Sequence, residues 1–327
     1  MPRHPSPPLF DNTSRRSALK RLSLGALAGS AAVGAGWLLP LRAAPADAQS
    51  PSRKPLAQRG AEALQAPRLI TIGGGITEIV YALGAQDQLV GTDTTSLFPR
   101  AAQATPKVGY MRQLSAEGLL ALRPDAVIAG TDAGPPVVLD QLRSAGVRIE
   151  LVEADHSWAE VGRKVAAVGR AAGREAAAQA LQERLDARWR AVRASIEGHK
   201  TPTAPRVLFV LSHSGSPTVA GEQTAADAMI RFIGAGNALD GFRGYRPMTA
   251  ESMAAAAPDV ILTTTQGLNA IGGEAAFWRR PELALTPAYR RRAKGGALVH
   301  LDALELLGFG PRLPDVVEHL HRRIVLV

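Results

Sequence analysis

The chain has 327 residues, no cysteine, 46% hydrophobic residues, 5% aromatics and a formal net charge of +9. That length allows one large or two modest domains with a full core, and a chain without cysteine has no disulfide scaffold, thiolate metal centre or cysteine nucleophile. Six Lys/Arg against Asp11 and Asp47 put +4 of the charge in residues 1–48; the remaining +5 is ordinary for a soluble surface and, with few aromatics interleaved, points to no nucleic-acid partner.

The chain opens with Ser14-Arg15-Arg16-Ser17-Ala18-Leu19-Lys20, an apolar run from Leu22 to Leu39, and Ala46-Asp47-Ala48. A basic n-region, a weakly hydrophobic stretch and an A-x-A site have the layout of a twin-arginine signal peptide. Ser23, Ser30, Gly25, Gly29, Gly34 and Gly36 make the run a poor membrane anchor. With no lipobox cysteine, the expected mature form is a free periplasmic protein starting near Gln49. This gives a leader over 1–48 and a flexible tail over 49–66.

Arg68–Ile72 reads as a strand and is followed by Gly73-Gly74-Gly75 and a helix closing on Leu83-Gly84-Ala85. Farther on, LSAEGLLALRPDAVI at 114–128 matches MTAESMAAAAPDVIL at 248–262, at a constant offset of 134. In each copy Ser115 or Thr249 caps a short helix, Pro-Asp ends it, and a β-branched strand follows. The second copy also has an upstream strand, Val207–Leu211, and a helix closing on Ile233-Gly234-Ala235. Between the copies, residues 157–199 lack proline and are rich in strong helix formers. The expected fold class is α/β: two lobes with parallel central sheets, 67–156 and 200–327, joined by one long helix over 157–199, with a ligand cleft between them.

This layout resembles the helical-backbone periplasmic binding proteins of ABC importers, which carry siderophores, cobalamin or haem. Gly109-Tyr110-Met111-Arg112-Gln113-Leu114-Ser115, Asp132-Ala133-Gly134-Pro135, Leu211-Ser212-His213, Val219-Ala220-Gly221 and Leu307-Gly308-Phe309-Gly310-Pro311-Arg312 resemble the haem-binding branch. The resemblance implies capture of ferric haem, one or two per chain. It also implies delivery to an inner-membrane ABC permease dimer, downstream of an outer-membrane haem receptor pathway, with no reaction catalysed.

Several residues are candidates for that site. Tyr110 lies on a loop entering the first repeat helix, where a phenolate could ligate ferric iron; a packing tyrosine is the alternative. Arg112, two residues on, could lower the phenol pKa. Arg246 is its repeat-mate and, with Arg243 and Tyr245, forms a cationic, aromatic loop suited to porphyrin propionates or to Tyr110 itself. His213 ends the first strand of lobe two; the resemblance makes it the ligand of a second haem. Asp132, Gly74 and Phe309 complete the expected haem contacts, with the glycines of 73–75 letting backbone approach a flat ligand. Glu117 and Glu251 hold identical repeat positions, and the resemblance gives them permease docking; helix-dipole complementation is the plainer reading. A ferric siderophore or cobalamin in the same fold is the nearest alternative ligand. A periplasmic haem enzyme is the alternative of another class, but no Asn accompanies His213 to form a distal pair.

Overall fold

The structure is a computed structural model that describes residues 66–199, 203–212 and 217–326. The expected leader, the tail through residue 65, and His213 lie outside the described residues.

In chain order the first lobe runs β1 (Leu69–Ile72), α1 (Gly74–Ala82), β2 (Leu89–Thr92), α2 (Ala116–Ala121), β3 (Ala126–Gly130), α3 (Pro136–Ser144) and β4 (Arg148–Val152). Its four strands are all parallel in the order β2-β1-β3-β4. Period-two alternation along β1 and β3 divides its core. Leu69, Ala126 and Ile128 pack on one face, and Ile70, Ile72, Val127 and Ala129 on the other.

Two helices follow, α4 (Trp158–Ala172) and α5 (Glu175–Gly198), where the sequence predicts one. Gly173 takes φ 63° and ends α4 in a left-handed cap. The chain then reverses, and Gly169 gives Ala178 room to approach. Trp158 stacks on Trp189 at 4.8 Å, and its indole N–H donates to Asp186 at 2.8 Å. Ala178 and Leu181 belong to the first lobe's core, while Val192 and Ile196 belong to the second's. At 24 residues, α5 is about 36 Å long, enough to cross from one lobe to the other.

The second lobe contains β5 (Arg206–Leu211), β6 (Thr218–Ala220), α6 (Ala225–Phe232), β7 (Gly236–Asn237), β8 (Tyr245–Pro247), α7 (Ala250–Ala256), β9 (Val260–Thr264), α8 (Thr265–Ala270), α9 (Gly273–Trp278), α10 (Pro287–Arg291), β10 (Leu298–Leu301), α11 (Ala303–Leu307) and α12 (Leu313–Ile324). Strands β10, β9, β5 and β7 are parallel, as expected. The sheet is nevertheless mixed, because β6 pairs antiparallel with β5 and β8 antiparallel with β6 at its edge. The Thr265-Gln266-Gly267 segment opens a helix capped by Thr264.

The repeat is a physical unit. Asp125 and Asp259 accept from the backbone N–H of Arg68 and Arg206 at 2.7 and 3.0 Å. The same two arginines donate to the carbonyls of Leu122 and Ala256, which are 134 residues apart and sit at the ends of α2 and α7. Arg123 and Ala257 both adopt positive φ there. Each Pro-Asp motif therefore ties a helix terminus to the first strand of its lobe, satisfying carbonyls that helix ends leave open.

Candidate ligand-binding site

The loops that follow β1, β2 and β3 emerge at the carboxyl ends of parallel strands, where α/β sheets present ligand sites. Thr94 N–H donates to the Gly109 carbonyl, Gly134 N–H to Met111, and Leu114 N–H to Gly134. These bonds lace the 109–114 loop to the 131–134 loop. Leu114 is buried, whereas Tyr110, Arg112 and Asp132 are exposed. Side chains that could have joined the core are therefore displayed in a row.

The Arg112 guanidinium uses both prongs. One nitrogen donates to the Tyr110 hydroxyl oxygen at 2.9 Å and the other to Asp132 Oδ2 at 2.9 Å. Burial opposes its charge, but Tyr110 and Asp132 more than offset this and hold the guanidinium above its ordinary pKa. Asp132 fixes the fork, and the fork aims a cation at the phenol oxygen. A donor in that place stabilises negative charge on a metal-bound phenolate.

Tyr245 comes from β8 in the other lobe. Burial raises its phenol above the ordinary value; Arg112 and a hydrogen bond with Thr224 work the other way, and Tyr110 raises it further. Tyr245 therefore lies within the field of the Tyr110–Arg112 pair. Its neighbour Arg246 does not reach Tyr110; its guanidinium lies over the Phe242 ring at 4.4 Å. Successive strand residues point to opposite faces, so Tyr245 and Arg246 of one strand cannot converge on one atom. Arg243 is exposed on the loop before β8 and bridges to Glu222 through the backbone.

Two expected ligand contacts have another role. Phe309 is 1% exposed, and its ring packs near His156 and Phe232 in the second lobe's core, so it offers no surface to a ligand. A Cβ on Gly74 would collide with the Thr95 carbonyl and Leu304, and one on Gly75 with the Gly308 carbonyl. Gly75 lets the second lobe's backbone approach and Gly74 its Leu304 side chain, where a flat ligand was expected. Sequence reading also missed their neighbours: Arg312 donates to Glu78 and Glu305, and Lys164 donates to the Gly308 and Phe309 carbonyls. Glycines at both 73–75 and 308–310 were the available signal.

Glu117 and Glu251 each occupy the second position of their helix, α2 and α7, and both are exposed. Neither forms an ion pair among the described residues.

Two α/β lobes with facing loops at strand carboxyl ends, joined by a helix that enters both cores, define a two-lobed substrate-binding protein. The chain belongs to the periplasmic binding protein family, whose model matches residues 69–293. The solved periplasmic heme-binding protein BhuT, in complex with two hemes, is 48% identical, with a TM-score of 0.74 over 79% of this chain and 98% of that one. A periplasmic heme-binding protein from Pseudomonas aeruginosa is 37% identical, with a TM-score of 0.71 over 79% of this chain and 92% of that one. Among curated relatives, an uncharacterized ABC transporter substrate-binding lipoprotein of Bacillus subtilis is 27% identical over 60% of this chain and 63% of its own length. The vitamin B12-binding protein of Yersinia pestis is 33% identical over 28% of this chain and 32% of its own length. The chain thus spans less than two thirds of the length of these curated relatives.

Proposed function

We propose that this protein captures ferric haem in the periplasm and delivers it to an inner-membrane ABC permease, performing no reaction itself. The carrying observation is the Asp132–Arg112–Tyr110 relay, exposed on the first lobe and facing Tyr245 of the second. A phenolate oxygen is a strong ligand for ferric iron, and Arg112 is placed to neutralise it. Arg243, exposed on the loop before β8, supplies a cation for the porphyrin propionates. Haem is the cargo here, and the oxygen and cation donors present fit it. His213 is the proposed ligand of a second haem, and likeness to a structure holding two hemes supports that stoichiometry.

Cobalamin and ferric siderophores are carried elsewhere in the family, and a corrin needs no phenolate. Titrating the purified mature protein with hemin, cyanocobalamin and a ferric siderophore separates these ligands. The account predicts a Soret band with a phenolate-to-iron charge-transfer band and saturation at one or two equivalents. Preference for cobalamin or a siderophore would overturn it, and peroxidase turnover by the loaded protein would favour a haem enzyme.

A further inference from the structure

The +5 charge after residue 48 is not spread over the surface. Residues 279–294 carry Arg279, Arg280, Arg290, Arg291, Arg292 and Lys294 against Glu282 alone. This segment therefore holds the whole positive excess, and the rest of the chain after residue 48 is neutral.

The segment spans α10 and the turns around it, beside the amino-terminal end of β9, where Ala288 N–H donates to the Pro258 carbonyl. Parallel strands place that end opposite the ligand loops. Arg279, Arg290, Arg291, Arg292 and Lys294 are exposed. Among the described residues the segment's cations form one ion pair, Arg291 with Asp259 at 3.9 Å. The other guanidinium contacts leave the charge unneutralised: Arg290 donates to the Leu285 carbonyl, and Arg292 donates to the Tyr289 carbonyl and stacks on its ring. Leu285, amid these cations, is the most exposed large hydrophobic residue described, at 70%. Arg291 also lines, with Arg323, Gly295 and Gly296, a cavity of about 350 Å³.

Unpaired cations around an outward leucine fit a surface that is anionic in its outer layer and apolar beneath. We propose that this face moors the protein to an anionic membrane surface, with arginines on phospholipid headgroups and Leu285 at the acyl boundary. An acidic protein would match the charge but would leave Leu285 without a reason to face outward. Basic residues near an anionic leaflet act additively and fade with salt, and one apolar side chain adds to them. This inference does not depend on the identity of the cleft ligand.

Co-sedimentation of the mature protein with phosphatidylcholine vesicles, with and without phosphatidylglycerol, tests it. Binding should require phosphatidylglycerol and vanish at high salt. Arg290→Glu/Arg291→Glu/Arg292→Glu should weaken partitioning on the order of a hundredfold. Leu285→Ala should weaken it severalfold, and Arg279→Glu/Arg280→Glu should repeat the charge effect away from the Tyr289 stack. Hemin titration and melting temperature, unchanged in each variant, establish that the fold is intact. Equal binding to neutral vesicles, no binding to anionic ones, or capture by soluble polyglutamate in their place would overturn the proposal.

Discussion

Arg312 of the second lobe donates to both oxygens of Glu78 in the first, at 2.6 and 3.0 Å, across 234 residues of sequence. Its third prong reaches Glu305 at 2.7 Å, and its guanidinium lies 3.9 Å from the Phe98 ring centroid. Only 5% of the Glu78 side chain is exposed. This pair and the Gly75–Gly308 approach beside it set how the lobes meet.

Removing one member of a buried pair leaves an uncompensated charge, so Arg312→Ala should cost about 3–5 kcal/mol in urea unfolding. Burial raises the Glu78 carboxyl above its ordinary value, and Arg312 only partly offsets this. The folded chain therefore keeps a proton that the unfolded chain has already lost. The Glu78 contribution is fully present below the ordinary carboxylate value and declines as pH rises towards the raised one. Glu78→Gln should remove that slope; an identical pH profile would contradict the assignment.

The Arg112 fork gives a second expectation. Arg112→Ala should weaken haem binding about tenfold to a hundredfold and move acid release of haem to higher pH, because the phenolate loses its charged donor. Asp132→Asn should act in the same direction and more weakly, since it frees the fork without removing it. Titration and stopped-flow acidification read both effects. Release at the wild-type pH in Arg112→Ala would contradict the coupling.

Much of this arrangement was legible in the sequence. The 134-residue offset equates β3 with β9 and the end of α2 with that of α7, because both copies satisfy the same helix-end carbonyls with the same residue types. Tyr110 and Arg112 were visible as polar residues on the loop entering the first repeat helix, and Asp132 through a motif resembling the haem-binding branch. Three features were hidden for physical reasons. A glycine at 173 is tolerable inside a helix, so the turn between α4 and α5 depends on tertiary packing. The second-lobe partners of Gly74, Gly75 and Glu78 (Leu304, Gly308 and Arg312) lie more than two hundred residues away, beyond any local pattern. Repeat symmetry places Arg246 opposite Arg112, but β8 turns it onto Phe242 by strand alternation.

His213 follows β5 and lies outside the described residues. Its proposed role makes a separable prediction: His213→Ala should keep one haem with the phenolate spectrum and lose the second equivalent. Calorimetric saturation at one equivalent in the wild-type protein would remove the basis for that role.

The paired carboxylates Glu117 and Glu251 head equivalent helices and face solvent. Rim charges govern orientation and association more than folding. Glu117→Arg with Glu251→Arg should therefore leave the haem spectrum and melting temperature nearly unchanged while abolishing most permease-dependent haem uptake into vesicles. Normal uptake would refute docking, and a large drop in melting temperature would favour helix-dipole complementation instead.

The most direct test of the haem account is the visible spectrum of Tyr110→Ala during hemin titration. The exposed Tyr110 hydroxyl, 2.9 Å from the Arg112 guanidinium, is the proposed iron ligand. The variant should lose the phenolate-to-iron charge-transfer band and bind hemin far more weakly, while retaining its fold by circular dichroism. An unchanged band and affinity in Tyr110→Ala would contradict the assignment of this tyrosine.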